Sequence, residues 1–557
     1  MRTTGQQVIS DWFRAREWKQ FPFQKEMEAA YLSGASGLLN APTGSGKTFA
    51  MFLPFLAEYI NTHPDDYRTR KDNGLLMLWI TPLRALTNDI RKAMQTAVDD
   101  LGLPWKVATR TGDTPAKEKQ ELKRKQPEIL LTTPESLHLM LGQKDYPKLF
   151  RSLQVVVADE WHELLGTKRG VQLELGLSRL KALKREEAGA PALRIWGISA
   201  TIGNLEQAAE VLLGNDMPRE RTRLIRAELS KKIVIESVIP ENIEQFSWSG
   251  HLGLKLLPEV MEIVGRSRTT LIFTNTRSQS EIWYQAILDR YPEYAGVMAM
   301  HHGSLDNDLR AWVEAALHAE MLRLVVCTSS LDLGVDFRPV DTVIQIGSPK
   351  GVARFMQRAG RSGHHPGAVS KAFFVPTHSM ELLEGAALKE ALKEKVFESR
   401  DPILLAMDVL MQYLVTLAVS DGFRPDPVYR ELRTTYCFAD LSREDYGQIL
   451  DFITRGGRTL SQYDEFLKVE IADGLYKVNN RRVAMRHRLS MGTIVSDLSM
   501  RIRFLTGGYL GTIEESFISR LKPGDNFWFA GRSLELVKVK EMTAYVRKSK
   551  SNKGQIP

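Results

Sequence analysis

Short apolar runs alternate with amphipathic stretches from residue 1 to about residue 395. Runs at residues 75–80, 153–158 and 270–273 contain no charged residue, which is the pattern of strands buried on both faces of a parallel sheet. The stretches between such runs place apolar residues at helical spacing. The alternation predicts an α/β fold with two tandem lobes, each built on a parallel sheet, over residues 1–220 and 221–395.

The pattern changes after residue 395. Helical stretches at residues 403–419, 426–434 and 442–455 are followed by two short strand-like runs, at 467–471 and 475–478, around Asp473 and Gly474. Helices followed by a hairpin predict a winged-helix domain over residues 396–484, which serves either to read DNA or to brace the lobes. From residue 485 to 557 the runs predict a β-rich domain, where Phe527 and Phe529 share one strand face and Trp528 takes the other.

Three connecting stretches divide the α/β part further. Residues 61–74 and 184–191 are polar and charged, and they predict surface loops. Residues 232–238 have the pattern of a strand, and we expect this segment and the polar stretch after it to join the two lobes.

Composition limits the possible classes of protein. The chain has 557 residues, of which 43% are hydrophobic and 25% charged, as in ordinary globular proteins, so three or four domains are expected. Cys327 and Cys437 lie far apart, which argues against a cysteine-based metal site and indicates a reducing compartment. The sequence shows no signal peptide and no apolar run of membrane-spanning length. These features predict a soluble, cytoplasmic protein.

Charge is concentrated near the end of the chain. The net charge is +8, yet residues 481–557 contain fifteen Lys and Arg against six Asp and Glu. The remainder is therefore nearly neutral, and the basic tail is expected to face a polyanion, with a merely solubilising surface as the alternative.

One glycine-rich segment predicts nucleotide binding. It follows a strand-like run at residues 37–40 and precedes a helical stretch at 49–59, which is the context that a phosphate-binding loop requires. Its backbone N–H groups turn toward phosphate, its lysine reaches the β- and γ-phosphates, and its last threonine ligates Mg²⁺. The ATP-binding residues of this loop are predicted to be Thr43, Gly44, Ser45, Gly46, Lys47 and Thr48.

An acidic pair predicts hydrolysis of the bound nucleotide. Asp159 and Glu160 stand at the C-terminal end of the buried run at residues 153–158. Asp159 is expected to hold Mg²⁺ together with Thr48, and Glu160 to orient or deprotonate the attacking water. The two motifs in this order predict a nucleoside triphosphatase.

Two arginines in the second lobe are predicted to complete the catalytic site. Arg358 and Arg361 follow a strand and polar loop at residues 325–337, and Gln357 opens their motif. A kinase or small GTPase does not need such a pair about 200 residues after its acidic motif, whereas a motor that closes two lobes over one nucleotide does. We therefore expect Arg358 and Arg361 to act as arginine fingers, with Gln357 among the catalytic residues.

Together these motifs resemble the DExH helicases of superfamily 2, and the chain is similar over nearly its whole length to the large helicase-related (Lhr) group, in particular its DNA-ligase-associated bacterial branch. The resemblance implies that both α/β lobes are RecA-like (P-loop NTPase) lobes. It further implies that Phe21 and Gln24 contact adenine and that Asp336 contacts ATP. It also implies that His162, Ser199 and Thr201 couple nucleotide state to the bound strand. The predicted strand contacts are Thr81, Pro82, Arg84, Thr111, Gly112 and Thr133 in the first lobe, and Thr274, Asn275, Thr276, Arg277, His302, Ser304, Thr328 and Ser329 in the second.

The resemblance also supplies expectations about activity. It implies an ATP- and Mg²⁺-dependent helicase that moves 3′ to 5′ on single-stranded DNA and unwinds DNA duplexes or RNA:DNA hybrids in DNA repair. An ATP-dependent DNA ligase and a nuclease are the implied partners. Because Lhr-like proteins are longer, the last domain is expected to be truncated. An RNA helicase of the DEAD-box kind, disfavoured by His162, and an ATP-gated scaffold that recruits a ligase or nuclease are the alternatives.

Overall fold

The computed structural model describes residues 3–42, 44–187, 189, 191–200, 202–227, 233–239, 253–332, 340–363, 370–394, 396–456, 469–492, 499–518, 521–540 and 543–549. The chain divides into two compact units, and each unit is built from two separate stretches of sequence. One contains Met1–Leu229 and Ser399–Ile494, and the other contains Ser230–Glu398 and Val495–Pro557. No helix in the described part of the chain has both the length and the apolar character needed to cross a membrane.

A seven-stranded parallel sheet forms the first lobe. Across the sheet its strands are Val107–Arg110, Ile129–Thr132, Met77–Ile80, Val155–Ala158, Arg194–Ser199, Ser36–Asn40 and Thr222–Arg226. Parallel strands end at the same edge, so the loops that carry the predicted motifs all leave one edge of this sheet.

Helices cover both faces of the first sheet. One face packs against the helices Thr4–Ala15, Pro22–Leu32, Lys47–Thr62 and Arg84–Asp100. The other face packs against the helices Pro134–Leu141, Tyr146–Leu149, Trp161–Leu164, Lys168–Glu186 and Leu205–Leu213. The helix Ala116–Arg124 has no buried residue, as its charged sequence leads one to expect.

The winged-helix region shares the core of the first lobe. Its helices are Met407–Val419, Pro425–Leu432, Arg443–Arg455 and Arg481–Leu489, and its hairpin pairs Glu470–Ala472 with Leu475–Lys477. Leu410, Leu414 and Phe438 are fully buried in the same apolar cluster as Leu137 and Leu175 of the lobe. This packing favours the brace over a free DNA-reading unit.

Buried polar contacts reinforce the junction between the winged-helix region and the long helix Lys168–Glu186. Arg179 pairs with Glu431, and the Ser178 hydroxyl donates to the Glu431 carbonyl oxygen at 2.8 Å. The Glu174 carboxylate accepts from the Cys437 N–H at 2.9 Å. Burial raises the pKa of Glu174 to about 8, although the nearby Lys181 opposes the shift.

We expect this junction to weaken as pH rises. Because the folded-state pKa of Glu174 lies above its unfolded value, its contribution to stability is complete below pH about 4.5 and is lost as pH rises through about 8. Glu174→Gln should therefore flatten the fall in melting temperature between pH 5 and pH 8. The measurement is a thermal melt at several pH values, with Glu121→Gln on the exposed helix Ala116–Arg124 as control. Parallel pH profiles for wild type and Glu174→Gln would contradict the assignment.

A six-stranded parallel sheet forms the second lobe. Its strands in spatial order are Met298–His301, Leu324–Cys327, Thr270–Phe273, Thr342–Ile346, Ser370–Val375 and Ile233–Ser237. The accompanying helices are Leu257–Gly265, Arg277–Arg290, Asn307–His318, Val352–Ala359 and Met380–Glu394. Two parallel α/β lobes are thus present, as the sequence predicted.

The C-terminal stretch of the second unit is β-rich, as predicted. Five strands pair in the order Tyr509–Glu514, Ser499–Phe504, Thr543–Lys548, Arg532–Lys540 and Asn526–Phe529, with a short helix Glu515–Ile518. Phe527 and Phe529 are buried in its apolar core, and Trp528 on the opposite face is partly exposed. The alternation of faces predicted for this strand is confirmed.

Three expectations about boundaries need correction. The boundary between residues 484 and 485 falls inside the helix Arg481–Leu489, which packs with the winged-helix region. The segment at 232–238 is not a linker, because Ile233–Ser237 pairs in parallel with Ser370–Val375. The connector at 184–191 begins too early, because the preceding helix continues to Glu186 and buries Lys184, whose ammonium group donates to the Arg151 carbonyl oxygen. Long aliphatic stems allow lysine to be buried in this way.

Candidate nucleotide site and strand-binding loops

The glycine-rich loop has the backbone that phosphate binding requires. Gly44 and Gly46 adopt φ values of +76° and +81°, which L-residues rarely take, and Gly46 caps the helix that begins at Lys47. The Ser45 hydroxyl donates to the Pro42 carbonyl oxygen at 2.7 Å and closes the turn. The first N–H groups of the helix Lys47–Thr62 have no partner within the helix, so this end attracts an anion.

The two predicted catalytic carboxylates lie beside the loop lysine. The Lys47 Nζ atom is 3.3 Å from Glu160 Oε1, and both groups are buried. Asp159 accepts from the Trp79 indole N–H at 3.1 Å and from the Glu160 N–H at 2.9 Å. Glu160 itself has φ of +46°, a strained conformation for a residue with a side chain. The structure therefore brings together the lysine and both acids.

The charges of this cluster fit a divalent cation. Burial, followed by the charge of Glu160, raises the pKa of Asp159, and Lys47 only partly opposes the shift. Two neighbouring carboxylates thus lie close to one ammonium group, and a divalent cation would favour the ionised form of both. Carboxylate and hydroxyl oxygens are the ligands that Mg²⁺ prefers. Asp159 and the half-buried Thr48, in the first turn of the helix that begins at Lys47, supply such oxygens.

A direct hydrogen bond joins the acidic motif to the next strand end. His162 Nδ1 accepts from the Ala200 N–H at 3.1 Å, and His162 is 3% exposed. Ser199, also buried, donates from its hydroxyl to the Ala200 carbonyl oxygen at 2.8 Å. His162 and Ser199, two of the three predicted coupling residues, therefore both form hydrogen bonds with the backbone of Ala200.

The predicted adenine-reading residues contact the phosphate-binding loop. The Gln24 side chain accepts from the Phe21 N–H at 2.9 Å and donates to the Gly46 carbonyl oxygen at 3.3 Å. The amide keeps one N–H and one oxygen lone pair for a base edge, because Gln has two of each. Gln24 thus links the predicted base site to the loop.

Arg358 is placed differently from the prediction. Its Nε and Nη2 atoms donate to the two carboxylate oxygens of Asp332 at 2.7 and 3.1 Å, and Nη1 donates to Gln345. The side chain is 2% exposed and lies over the Phe273 ring. Its donors are used inside the second lobe, which is the geometry of a positioning residue rather than of an arginine finger. A bidentate buried pair of this kind holds the arginine motif in place.

Arg361 is more accessible than Arg358. Its Nε and Nη2 atoms donate to the Asp332 carbonyl oxygen at 3.3 and 3.0 Å, and the side chain is only partly buried. Gln357 is buried. Of the two predicted fingers, Arg361 is the more exposed side chain.

Many of the predicted strand contacts are buried hydroxyls that shape their loops. Thr81 Oγ1 donates to the Leu83 carbonyl oxygen, Thr111 Oγ1 accepts from the Asp113 N–H, and Thr133 Oγ1 accepts from the Ser136 N–H. Short hydroxyl side chains compete for local backbone groups in this way at turns and helix starts. The buried members of the predicted set are Thr81, Pro82, Thr111, Thr133, Thr274 and Thr328, and Asn275 is partly buried. The exposed ones are Gly112, Thr276, Arg277 and Ser329.

His302 and Ser304 belong to a different contact. His302 is 1% exposed, and its Nε2 lies 3.3 Å from Glu281 Oε1. The Glu281 carboxylate also accepts from the backbone N–H groups of Ala530 and Gly531, at 2.6 and 2.9 Å. The Ser304 carbonyl oxygen accepts from the Thr512 N–H at 3.0 Å. In this structure the His302 ring and the Ser304 backbone therefore help to attach the β-rich region to the second lobe, and their predicted role as strand contacts stays a prediction.

Some predicted site residues cannot be placed. Thr43, Thr201 and Asp336 lie outside the described residues, and the side chain of Arg84 is also outside them. Sequence reasoning in turn missed Trp79, Asp332 and Glu281. A signal existed for two of them: a tryptophan in a buried strand needs an acceptor for its N–H, and Asp332 stands in the polar loop that precedes the arginine motif.

Comparisons with known proteins agree with this architecture. Residues 21–208 match the DEAD/DEAH box helicase family model, residues 254–365 match the helicase conserved C-terminal domain, and residues 390–556 match the winged helix domain of large helicase-related protein. An ATP-dependent helicase Lhr-Core protein 2 of Thermococcus barophilus is 33% identical over 565 residues, covering 99% of this chain and 64% of the relative. The Lhr helicase/uracil glycosylase of Escherichia coli is 33% identical over 500 residues, covering 80% and 32% respectively.

A solved structure of an Lhr helicase is also similar to this chain. Mycobacterium smegmatis helicase Lhr, determined with single-stranded DNA and AMP-PNP, superposes with a TM-score of 0.73 at 28% identity, covering 88% of this chain and 62% of that one. The matched models and the two parallel lobes define a motor of the superfamily 2 helicase class. Within that class the chain belongs to the large helicase-related (Lhr) family. It spans less than two thirds of the length of these relatives.

Proposed function

We propose that this chain is an ATP-dependent helicase that moves 3′ to 5′ along single-stranded DNA and unwinds DNA duplexes or RNA:DNA hybrids. The observation that carries the proposal is the buried Lys47–Glu160–Asp159 cluster, joined through His162 to the Ser199–Ala200 strand end. The acidic motif is thus hydrogen-bonded, through His162, to the backbone of Ala200. The loop after Ala200 leaves the same edge of the sheet as the predicted strand-binding loops. The relative solved with single-stranded DNA and AMP-PNP supports the choice of both ligands.

In this mechanism the chain holds the triphosphate and moves a proton from water. The helix start at Lys47 and its ammonium group bind the phosphates, while Thr48 and Asp159 would hold Mg²⁺, which neutralises charge on the phosphate oxygens. The Glu160 carboxylate accepts a proton from the attacking water. Arg361 stabilises charge on the transferring phosphoryl group.

Strand contacts in this proposal come mainly from backbone groups. Because the hydroxyls of Thr81, Thr111 and Thr133 are used within their loops, phosphate oxygens are bound by helix N-termini and by exposed positions such as Gly112 and Arg277. Such contacts carry no base information and release easily, which suits a motor that must move along any sequence.

The decisive experiment is strand displacement from 3′-tailed and 5′-tailed duplexes, with DNA or RNA as the displaced strand. We expect ATP-dependent displacement from 3′-tailed substrates with either displaced strand, and none with Glu160→Gln. Displacement from 5′ tails alone would contradict the direction. Strand-stimulated ATP turnover without displacement of any duplex would instead favour a scaffold.

The link through His162 gives a second test. His162→Ala removes the acceptor of the Ala200 N–H, so we expect strand displacement to fall about 10-fold while ATP turnover stays within a few-fold of wild type. Both activities are measured on the same preparation, and His162→Asn, which retains an acceptor, serves as the matched control. Equal losses of both activities would show that His162 serves hydrolysis rather than coupling.

The proposal also includes a biological role and partner enzymes. The resemblance to the DNA-ligase-associated branch leads us to propose a role in DNA repair with an ATP-dependent DNA ligase and a nuclease as partners. Co-purification of either enzyme with the tagged chain, resistant to nuclease digestion of bridging DNA, is the expected result. Loss of the association on such digestion would mean that only DNA connects them.

A further inference from the structure

Two tryptophans flank the strand that leads to the acidic motif. Trp79 and Trp196 lie on the two neighbours of the strand Val155–Ala158, and both pair in register with Val157. Both side chains are fully buried, and both belong to the apolar cluster on the face of the sheet that the helix Lys47–Thr62 covers. The two tryptophans therefore occupy equivalent positions on either side of one residue.

The indole N–H groups of the two tryptophans have acceptors at opposite ends of the sheet. Trp196 donates to the carbonyl oxygen of Ala35, directly before the strand Ser36–Asn40, at 2.9 Å. Trp79 donates to Oδ2 of Asp159, in the acidic motif, at 3.1 Å. A buried indole N–H needs an acceptor, and Trp196 shows that a backbone carbonyl oxygen is sufficient. The carboxylate acceptor of Trp79 is therefore not a requirement of packing.

The Asp159 carboxylate is oriented by one hydrogen-bond donor on each oxygen. Its Oδ1 atom accepts from the Glu160 N–H at 2.9 Å, and its Oδ2 atom accepts from Trp79. An ionised carboxylate has about four lone-pair sites, so each oxygen keeps one for a cation. The Asp159 N–H in turn donates to the Ile80 carbonyl oxygen at 2.7 Å, which fixes the backbone of the motif to the strand that carries Trp79. Without the indole donor only Oδ1 would stay held, and the carboxylate could turn about its Cβ–Cγ bond.

We propose that Trp79 is a positioning residue for the divalent cation, because its indole N–H holds the Asp159 carboxylate in the orientation that binds Mg²⁺. The proposal rests on the proposed function and adds to it a residue that acts only through Asp159. Groups that hydrogen-bond to metal ligands orient them and raise the affinity of the site, commonly by about 10- to 100-fold. A phenylalanine in place of Trp79 would fill much of the same space and donate no hydrogen bond.

The test compares Trp79→Phe with Trp196→Phe, which loses the same ring atoms and an indole hydrogen bond at the equivalent position. The affinity for a fluorescent ATP analogue that resists hydrolysis is measured with saturating Mn²⁺, which accepts the same oxygen ligands as Mg²⁺, and again with EDTA. The ratio of the two dissociation constants is the gain from the cation. We expect Trp79→Phe to reduce this gain about 10-fold and to leave the affinity in EDTA unchanged, and Trp196→Phe to leave both unchanged. Equal losses of the gain in the two variants would assign Trp79 a packing role and overturn the proposal.

Trp79→His separates the hydrogen-bond donor from the packing. The Nε2–H group of histidine occupies the same place in its five-membered ring as the N–H of the indole, whereas the missing benzene ring leaves a cavity. We therefore expect a lower melting temperature than for Trp79→Phe together with a larger gain from the cation. A gain that is smaller in Trp79→His than in Trp79→Phe, in step with the melting temperature, would overturn the proposal. All affinities are measured well below the lowest melting temperature of the set.

The wild-type chain separates this proposal from the proposed function. If Mn²⁺ gave the wild type no gain in affinity for the ATP analogue, the cation site at Asp159 and Thr48 would be contradicted, and with it the proposed hydrolytic motor. A clear gain in the wild type that Trp79→Phe retains in full would contradict only the positioning role of Trp79.

Discussion

Replacing Glu160 by Gln is expected to lower strand-stimulated ATP turnover by about 10³-fold, because an amide cannot accept the proton of the attacking water. Glu160 Oε1 lies 3.3 Å from Lys47 Nζ in a buried cluster, so no bulk solvent group replaces it. ATP binding should persist, since the phosphate-binding loop and Lys47 are intact. Steady-state turnover at saturating strand and binding of a fluorescent ATP analogue measure the two effects.

Lys47→Ala is the complementary variant. It removes the ammonium group that binds the phosphates, so nucleotide binding should be lost together with turnover. Turnover by Glu160→Gln within a few-fold of wild type would contradict the hydrolytic assignment. If Glu160→Gln also lost nucleotide binding, Glu160 would be needed to bind ATP and not only to hydrolyse it.

The two arginines of the second-lobe motif should separate into a catalytic and a positioning residue. Arg361→Ala is expected to lower kcat by about 10³-fold and to leave the melting temperature nearly unchanged. Arg358→Ala removes the bidentate partner of the buried Asp332 carboxylate and leaves it the more distant Arg354 Nε at 3.8 Å, which costs about 3 kcal/mol. For a unit of this size that is a fall in melting temperature of about 10 °C.

The contrast is measured by thermal melting and single-turnover hydrolysis on the same variants. Arg358→Met combined with Asp332→Asn removes both charges and should recover most of the lost stability. If Arg358→Ala instead kept the wild-type melting temperature and lost turnover, the prediction of Arg358 as a finger would have been right after all.

The sequence predicted what depends on local pattern. Charge-free runs such as residues 153–158 became buried strands, and the glycines at 44 and 46 took the left-handed backbone that their loop needs. The acids at 159 and 160 could be placed because a strand end fixes where the next residues emerge. These features require no knowledge of distant contacts.

Side-chain partners could not be predicted in the same way. Arg358 and His302 were assigned to ligands from their motifs, yet Asp332 and Glu281 bind them from elsewhere in the fold. The sequence also did not show that the basic tail divides between the two units, with its first part up to Ile494 in one and Val495–Pro557 in the other. Helical spacing at 481–489 is short and interrupted by arginines, and only packing against Met407–Val419 shows which lobe the helix joins.

The interleaved order of the two units has a consequence for biosynthesis. The hydrogen bond from the Cys437 N–H to Glu174 spans 263 residues, so the lobe that contains Glu174 leaves the ribosome long before its partner region exists. During that interval the apolar surface around Leu137 and Leu175, which the winged-helix region later covers, faces solvent or a chaperone. Contacts between residues so far apart in sequence form slowly. We therefore expect the sheet of the second lobe to form its core before the winged-helix helices complete the core of the first unit.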